Sequence, residues 1–170
     1  MIDLFVDALD RAGVHHLVSV ANGESAPLYF RLKDDPRFTV IDACREGEAV
    51  AIACGLHLGG RRALLSMENF GLYECLDTLR AMPIDARIPI PVLVGYTARP
   101  AEGHVDFWNG RFGNIASQAM LAGHWTEPLL ERLDQPYAVV DKAEPEHVIE
   151  KQLQAALTAD VPSYLLVQSF

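Results

Sequence analysis

An acidic segment that runs into small apolar residues is the stretch of this chain best suited to chemistry. Residues 44–55 read CREGEAVAIACG, so two carboxyl groups, Glu46 and Glu48, come directly before a run dominated by alanine. Small side chains let another helix or a ligand approach, and a charged group carried toward an interior or an interface needs a partner. Two such residues on a helix point about 200° apart, so they cannot both face the same partner. From the residues alone, an ordinary acid in the first turn of a helix is the preferred interpretation of either one.

Composition and charge narrow the class of protein. Half of the 170 residues are hydrophobic, 22% are charged and the formal net charge is −9. One globular domain covering 1–170 is expected, and a nucleic-acid partner or an anionic membrane surface is disfavoured. Acids near the N-terminus and the lack of a long apolar stretch favour a cytoplasmic protein. Three cysteines without a CxxC pair indicate reduced, mostly buried thiols, and the cysteine and histidine spacings predict no metal site.

Strand-like and helix-like segments alternate along the whole chain. Strands are predicted at 16–20, 38–41, 63–67, 92–96, 137–140 and 163–167. Helices are predicted at 2–12, 26–33, 49–58, 72–82, 115–122, 127–133 and 144–157. Because the strands are short, continuous and apolar, we expect an α/β fold: a doubly wound three-layer domain with a mostly parallel sheet of about six strands. The loops 21–25, 68–71 and 97–114 should then meet the start of the alanine-rich helix at one edge of the sheet.

A family resemblance gives the acidic segment a specific interpretation. The stretch 45–72, REGEAVAIACGLHLGGRRALLSMENFGL, resembles the pyrimidine-binding (PYR) domain of thiamine diphosphate enzymes. More narrowly, it is similar to the α subunit of sulfopyruvate decarboxylase and to the N-terminal part of phosphonopyruvate decarboxylase. In that family a glutamate precedes an alanine-rich helix with a glycine nine positions on, here Glu46 and Gly55. A strand and an Asn-x-Gly-Leu loop follow, here residues 69–72, and weaker similarity covers most of the chain.

The resemblance implies both a fold and a reaction. It implies a PYR-type domain in which Glu46 hydrogen-bonds N1′ of the aminopyrimidine and promotes its imino tautomer, so that the cofactor can activate itself. The family's loop beside the cofactor corresponds to Asn69, Phe70, Gly71 and Leu72. The implied reaction is decarboxylation of a 2-oxo acid.

The same resemblance implies that a second protein domain completes the cofactor site. The family binds the diphosphate and Mg²⁺ with a separate PP domain, which carries a Gly-Asp-Gly motif and a downstream asparagine. No Gly-Asp-Gly occurs in this sequence. We therefore expect thiamine diphosphate and Mg²⁺ to be completed by a PP-domain β subunit, in an α₂β₂ or similar heteromer with Glu46 near the interface.

The loops that should contact substrate depart from the family pattern. The family's Pro-Asp-Ser loop appears here as Ala-Asn-Gly, which makes Asn22 a candidate substrate contact. Arg99 and Arg111 are candidates for holding a substrate carboxylate, sulfonate or phosphonate, and His104 is a candidate proton relay. Solvated loop charges are the alternative for all three.

Two other functions remain open at this point. The first is carboligation, in which the same activated cofactor joins the substrate to a second carbonyl compound. The second is a non-catalytic doubly wound module that binds a ligand or a partner, because a fold of this kind does not fix a function.

Overall fold

A computed structural model describes residues 1–97, 99, 115–140, 145–168 and 170. In the last two helices, side chains are described only from residue 122 and from residue 146 onward. Seven helices lie in these ranges: α1 (Ile2–Arg11), α2 (Ala26–Lys33), α3 (Glu46–Leu58), α4 (Asn69–Glu74), α5 (Leu76–Leu79), α6 (Ile115–Arg132) and α7 (Pro145–Thr158). Six strands accompany them: β1 (His16–Ser19), β2 (Thr39–Asp42), β3 (Ala63–Glu68), β4 (Pro91–Gly95), β5 (Tyr137–Val139) and β6 (Ser163–Val167).

All six strands form one parallel sheet. The strand order is β2-β1-β3-β4-β6-β5, and every neighbouring pair is parallel. From β1 the chain adds β2 on one side and β3 and β4 on the other, and the last strand, β6, lies between β4 and the edge strand β5. Helices cover both faces of the sheet. The predicted α/β, doubly wound fold is confirmed.

Successive residues of each central strand point to opposite faces, so each strand supplies two cores. Leu65 packs into the core beneath α3, α4 and α5, together with Val50 and Leu72. Leu64, the preceding residue, packs into the core beneath α1, α2 and α7. Both leucines are fully buried. This two-sided burial explains why the strands are continuous apolar runs rather than alternating ones.

Three predicted helices had the wrong boundaries. The two predicted at 115–122 and 127–133 are one helix, α6, which continues through Pro128 and ends at Arg132. A proline costs an interior hydrogen bond, but Thr126 and Leu130 on either side of it are fully buried and hold the helix in place. The predicted helix 72–82 is broken into α4, α5 and a π-helical turn, Arg80–Ile84, that contains Pro83.

The acidic segment also differs from expectation. Helix α3 begins at Glu46 rather than at Ala49, so the carboxylate lies in its first turn. The Asn-x-Gly-Leu stretch is the first turn of α4 and not a loop. Within the parts of the chain that the structure describes, no helix has the length and apolar character required to cross a membrane.

The cysteines occupy two kinds of environment. Cys54 and Cys75 are buried, as predicted, whereas Cys44 is exposed just ahead of α3, so its interpretation as a core residue was wrong. Burial raises the pKa of the Cys54 thiol to about 11 and that of the Cys75 thiol to about 12. Both buried thiols therefore stay protonated and unreactive near neutral pH.

We expect a thiol reagent at pH 8 to modify one cysteine per native chain and three per denatured chain, because one of the three free thiols is exposed. Absorbance titration with an aromatic disulfide measures this ratio. The Cys44→Ser variant should leave no fast-reacting thiol in the native state. Rapid native-state modification of two or more cysteines would contradict the described core.

Candidate functional site

The carboxyl ends of the central strands bring several polar residues to one edge of the sheet. Asn22 and Glu24 follow β1, Glu46 follows β2, Asn69 follows β3, and Thr97 follows β4. Because these strands are parallel neighbours, their following residues meet at the same edge. The clustering that the strand pattern predicted is therefore present for the described residues.

Glu46 and Gly71 are packed directly against each other. A Cβ added to Gly71 would lie 2.5 Å from Oε1 of Glu46 and 2.7 Å from its Cδ, so no larger residue fits beside the carboxylate in this position. Glu46 itself is half-buried, and its carboxylate accepts no hydrogen bond from any residue the structure describes. Glu46 and Gly71, which the resemblance placed in two separate motifs, thus form one feature: a half-buried carboxylate packed against a glycine.

Glu48 has a different and local role. Its Oε2 accepts the backbone N–H of Cys44 at 3.0 Å, which satisfies a donor at the start of α3. The side chain is exposed. The neighbouring Arg45 forms an ion pair with Glu74 of α4. These bonds fix the start of α3 and leave Glu46 as the acid that faces Gly71.

Asn69 fixes α4 from the opposite side. Its side chain is fully buried, and Nδ2 donates to the carbonyl oxygen of Thr97 and to Oγ1 of Thr126, both at 3.1 Å. The hydroxyl of Tyr73 donates to the carbonyl oxygen of Ala122 at 2.6 Å and lies 2.7 Å from Thr126 Oγ1. The side chain of Asn69 therefore ties α4 to β4 and α6.

Phe70 and Leu72, which also belong to the predicted cofactor-binding stretch, differ in their exposure to solvent. Leu72 is 1% exposed and packs in the core, whereas Phe70 is 42% exposed. Gly71, between them, is the residue that lies against the Glu46 side chain. Within the stretch 69–72, Asn69 and Leu72 are therefore packed inside the domain, whereas Phe70 is exposed on its surface.

The residues predicted to contact substrate differ in their surroundings, and the structure describes only some of them. Asn22 uses both ends of its amide within its own turn, accepting the Ser25 N–H at 2.9 Å and donating to the Val20 carbonyl at 3.1 Å. Arg99 Nε lies 3.7 Å from Glu127 Oε1, so it has an acidic neighbour. His104 and Arg111 lie outside the described residues.

Two acids at this edge were missed by sequence reasoning. Oγ1 of Thr97 lies 2.6 Å from Glu24 Oε1 and 2.5 Å from Glu68 Oε1, so one hydroxyl lies between two carboxyl groups. A Cβ added to Gly95 would approach Glu24 Cβ to 3.0 Å, which shows that the turn after β1 lies against the end of β4. No local pattern marks them as a pair, since Glu24 lies in the turn that follows β1 and Glu68 is the last residue of β3. No group of three or more His, Cys, Asp or Glu side chains suited to a metal occurs in the described ranges.

The fold defines the class to which the chain is similar. A solved thiamine diphosphate-dependent 4-hydroxybenzoylformate decarboxylase from Rhodococcus jostii RHA1 superposes with a TM-score of 0.66 at 15% identity, covering 97% of this chain and 29% of that one. At this identity the match establishes the fold. No protein-family model matches the sequence.

Relatives found by sequence are more specific. The sulfopyruvate decarboxylase α subunit of Methanococcus maripaludis is 28% identical over 126 residues, which are 74% of this chain and 68% of that subunit. The phosphonopyruvate decarboxylase of Streptomyces viridochromogenes is 29% identical over 135 residues, 79% of this chain but 31% of that enzyme. The sulfopyruvate decarboxylase of Methanosarcina acetivorans is 24% identical, with 30% of its length covered. The predicted resemblance to PYR-domain α subunits is confirmed, and the chain spans less than a third of the two longer enzymes.

We expect Gly71→Ala to lower the free energy of unfolding by about 1–3 kcal/mol, because the new Cβ overlaps the Glu46 side chain and something must shift. Urea unfolding of the full chain, followed by circular dichroism, measures the change.

Gly55→Ala is the matched control. It also changes a helical glycine to alanine, but nothing lies within 4 Å of the added Cβ. We expect it to be neutral or up to about 1 kcal/mol more stable. Equal stability of the two variants would show that Gly71 does not constrain Glu46.

Proposed function

We propose that this chain is the PYR subunit of a heteromeric, thiamine diphosphate-dependent 2-oxo acid decarboxylase. The observation that carries the proposal is the Glu46 carboxylate, half-buried at the start of α3 and packed on Gly71. Relatives named sulfopyruvate and phosphonopyruvate decarboxylase support the reaction class.

The described residues fit the aminopyrimidine half of the cofactor. The carboxylate has no hydrogen-bond donor among them, and Gly71 leaves space where any Cβ would intrude on it. Glu46 would hold a proton between its carboxyl group and N1′ of the pyrimidine, in a setting partly removed from water. When bound, thiamine diphosphate supplies the electron sink that lets a 2-oxo acid lose CO₂.

We propose that a β subunit with a Gly-Asp-Gly motif binds the diphosphate and Mg²⁺. Support comes from the outward face of α3, on which four residues are exposed although three of them are small or apolar: Glu48, Ala51, Gly55 and Leu58. Phe70 is 42% and Trp125 61% exposed, on the packed pair α4 and α6. Several relatives are named as α subunits, which supports a heteromer, for which we propose α₂β₂.

The remaining site residues stay proposals. His104 is proposed as a proton relay, and Arg111 as a contact to the substrate carboxylate. Arg99 would have to exchange its contact with Glu127 to bind substrate, and Asn22 would have to act from within its turn.

The first test is native mass spectrometry of the chain purified from its own source. We expect a heteromer whose second polypeptide contains Gly-Asp-Gly and a downstream asparagine, with thiamine diphosphate and Mg²⁺ retained. A chain that is alone or self-associated, and that binds no thiamine diphosphate, would favour the non-catalytic binding module.

In the reconstituted complex, we expect Glu46→Gln to lower turnover by about 10²–10⁴-fold, because an amide cannot exchange the proton at N1′. Substrate loss and product identity are followed by mass spectrometry, which also separates aldehyde formation from carboligation.

Glu146→Gln is the matched control, since it neutralises an exposed acid in the first turn of another helix, α7, which packs on the opposite face of the sheet from α3. We expect turnover within about twofold of the parent, as for surface substitutions. Unchanged turnover in the Glu46 variant, with the fold intact, would rule out the proposed role.

A further inference from the structure

The corner formed by the ends of β1, β3 and β4 contains more hydrogen-bond acceptors than donors. Thr97 Oγ1 lies within 2.6 Å of a carboxylate oxygen of Glu24 and within 2.5 Å of one of Glu68. A threonine hydroxyl has a single proton and can donate to one of them, and an ionised carboxylate donates nothing. One carboxyl oxygen at this corner therefore has no donor from Thr97.

Asn69 provides a second, independent observation of the same kind. Its Nδ2 donates to the carbonyl oxygen of Thr97, so its amide belongs to this corner. Its Oδ1 is buried and has no hydrogen-bond partner among the described residues, although the residue is 0% exposed. A buried acceptor without a donor is costly, which indicates that another group donates to it.

The corner adjoins the carboxylate proposed to bind the cofactor. Glu68 immediately precedes α4, and Gly71, which packs on Glu46, lies in the first turn of that helix. One helical turn rises about 5.4 Å. A molecule held beside Glu46 would therefore have its far end within reach of this corner.

Within the described ranges, the arginines on the elements next to this corner already have acidic partners. Arg45 pairs with Glu74, and Arg99 lies 3.7 Å from Glu127. No ion pair joins Glu24 or Glu68 to a cationic side chain of the described residues. An anionic group brought to this corner would meet two carboxylates, and juxtaposed like charges select against such a ligand.

We propose that the substrate is a 2-oxo acid whose far end is cationic or otherwise rich in hydrogen-bond donors, and that Glu24 and Glu68 exclude a sulfonate or phosphonate there. This inference rests on the proposed decarboxylase function. It separates the chain from relatives named for sulfopyruvate and phosphonopyruvate, whose far ends are anionic.

The test compares substrates in the complex of the chain with its partner subunit. The panel contains 5-guanidino-2-oxopentanoate, 2-oxohexanoate, 2-oxoadipate, 3-sulfopyruvate and phosphonopyruvate. We expect kcat/KM for the guanidino acid to exceed that for each acid with an anionic far end by at least about 100-fold. The double variant E24Q/E68Q should reduce that ratio by about tenfold or more, and each single variant by less.

A charge-matched control uses D77N, because Asp77 is exposed on α5 and its side chain is 90% accessible. This variant should leave the ratio unchanged. Circular dichroism of E24Q and E68Q separately confirms that the fold survives each change.

Calorimetric titration of the cofactor-free complex with the guanidino acid and with 3-sulfopyruvate supplies a readout independent of turnover. Preferential binding of the guanidino acid that weakens in E24Q/E68Q supports the inference even if no 2-oxo acid is consumed, an outcome that would reject the decarboxylase function alone. Equal or better binding and turnover of 3-sulfopyruvate would overturn the inference while leaving the decarboxylase function standing.

Discussion

The close approach of Gly71 to the Glu46 side chain is the contact on which the rest of the site depends. It exists because α3 and α4 begin at the same edge of a parallel sheet, one after β2 and the other directly after β3. A side chain at residue 71 would overlap the Glu46 side chain, so one of the two would have to shift. The Asn69 amide, bonded to Thr97 and Thr126, then holds α4 at that distance.

The acidic side chains at this edge differ in whether a hydrogen-bond donor or an arginine faces them. Glu48 serves a backbone donor, and Glu74 and Glu127 each lie beside an arginine. Glu46, Glu24 and Glu68 differ, because the first has no described donor and the other two share a single hydroxyl. Carboxylates in that condition cost free energy unless another molecule completes their hydrogen bonds. Glu24, Glu46 and Glu68 are therefore the half-buried carboxylates of this edge that keep unused acceptor capacity among the described residues.

Much of this arrangement can be predicted from the sequence. Short apolar segments that alternate with helical ones predicted the doubly wound sheet. Such strands are recognisable because burial on both faces makes them continuous runs of apolar residues. The family motif drew attention to Glu46 and to the stretch 69–72, but it did not predict that Glu46 and Gly71 are in contact.

The errors have identifiable causes. Two helices were predicted where α6 is continuous, because the buried packing of Thr126 and Leu130 on either side of Pro128 overrides local propensity. Glu24 and Glu68 were passed over because nothing local marks them. The two carboxyl groups come together at the hydroxyl of Thr97, which follows a different strand, β4. Glu24 reaches this hydroxyl because the turn after β1 packs against Gly95. A single sequence contains no record of such contacts between distant segments.

The residues that flank positions 100–114 are anchored by groups outside that range. Thr97, before it, accepts a hydrogen bond from Asn69, and α6, after it, accepts bonds from Tyr73 at Ala122 and from Tyr96 at Gly123. A substitution at any of positions 100–114 would therefore remove none of these three bonds, so residues there can be exchanged singly to test their part in substrate choice while these anchors stay intact.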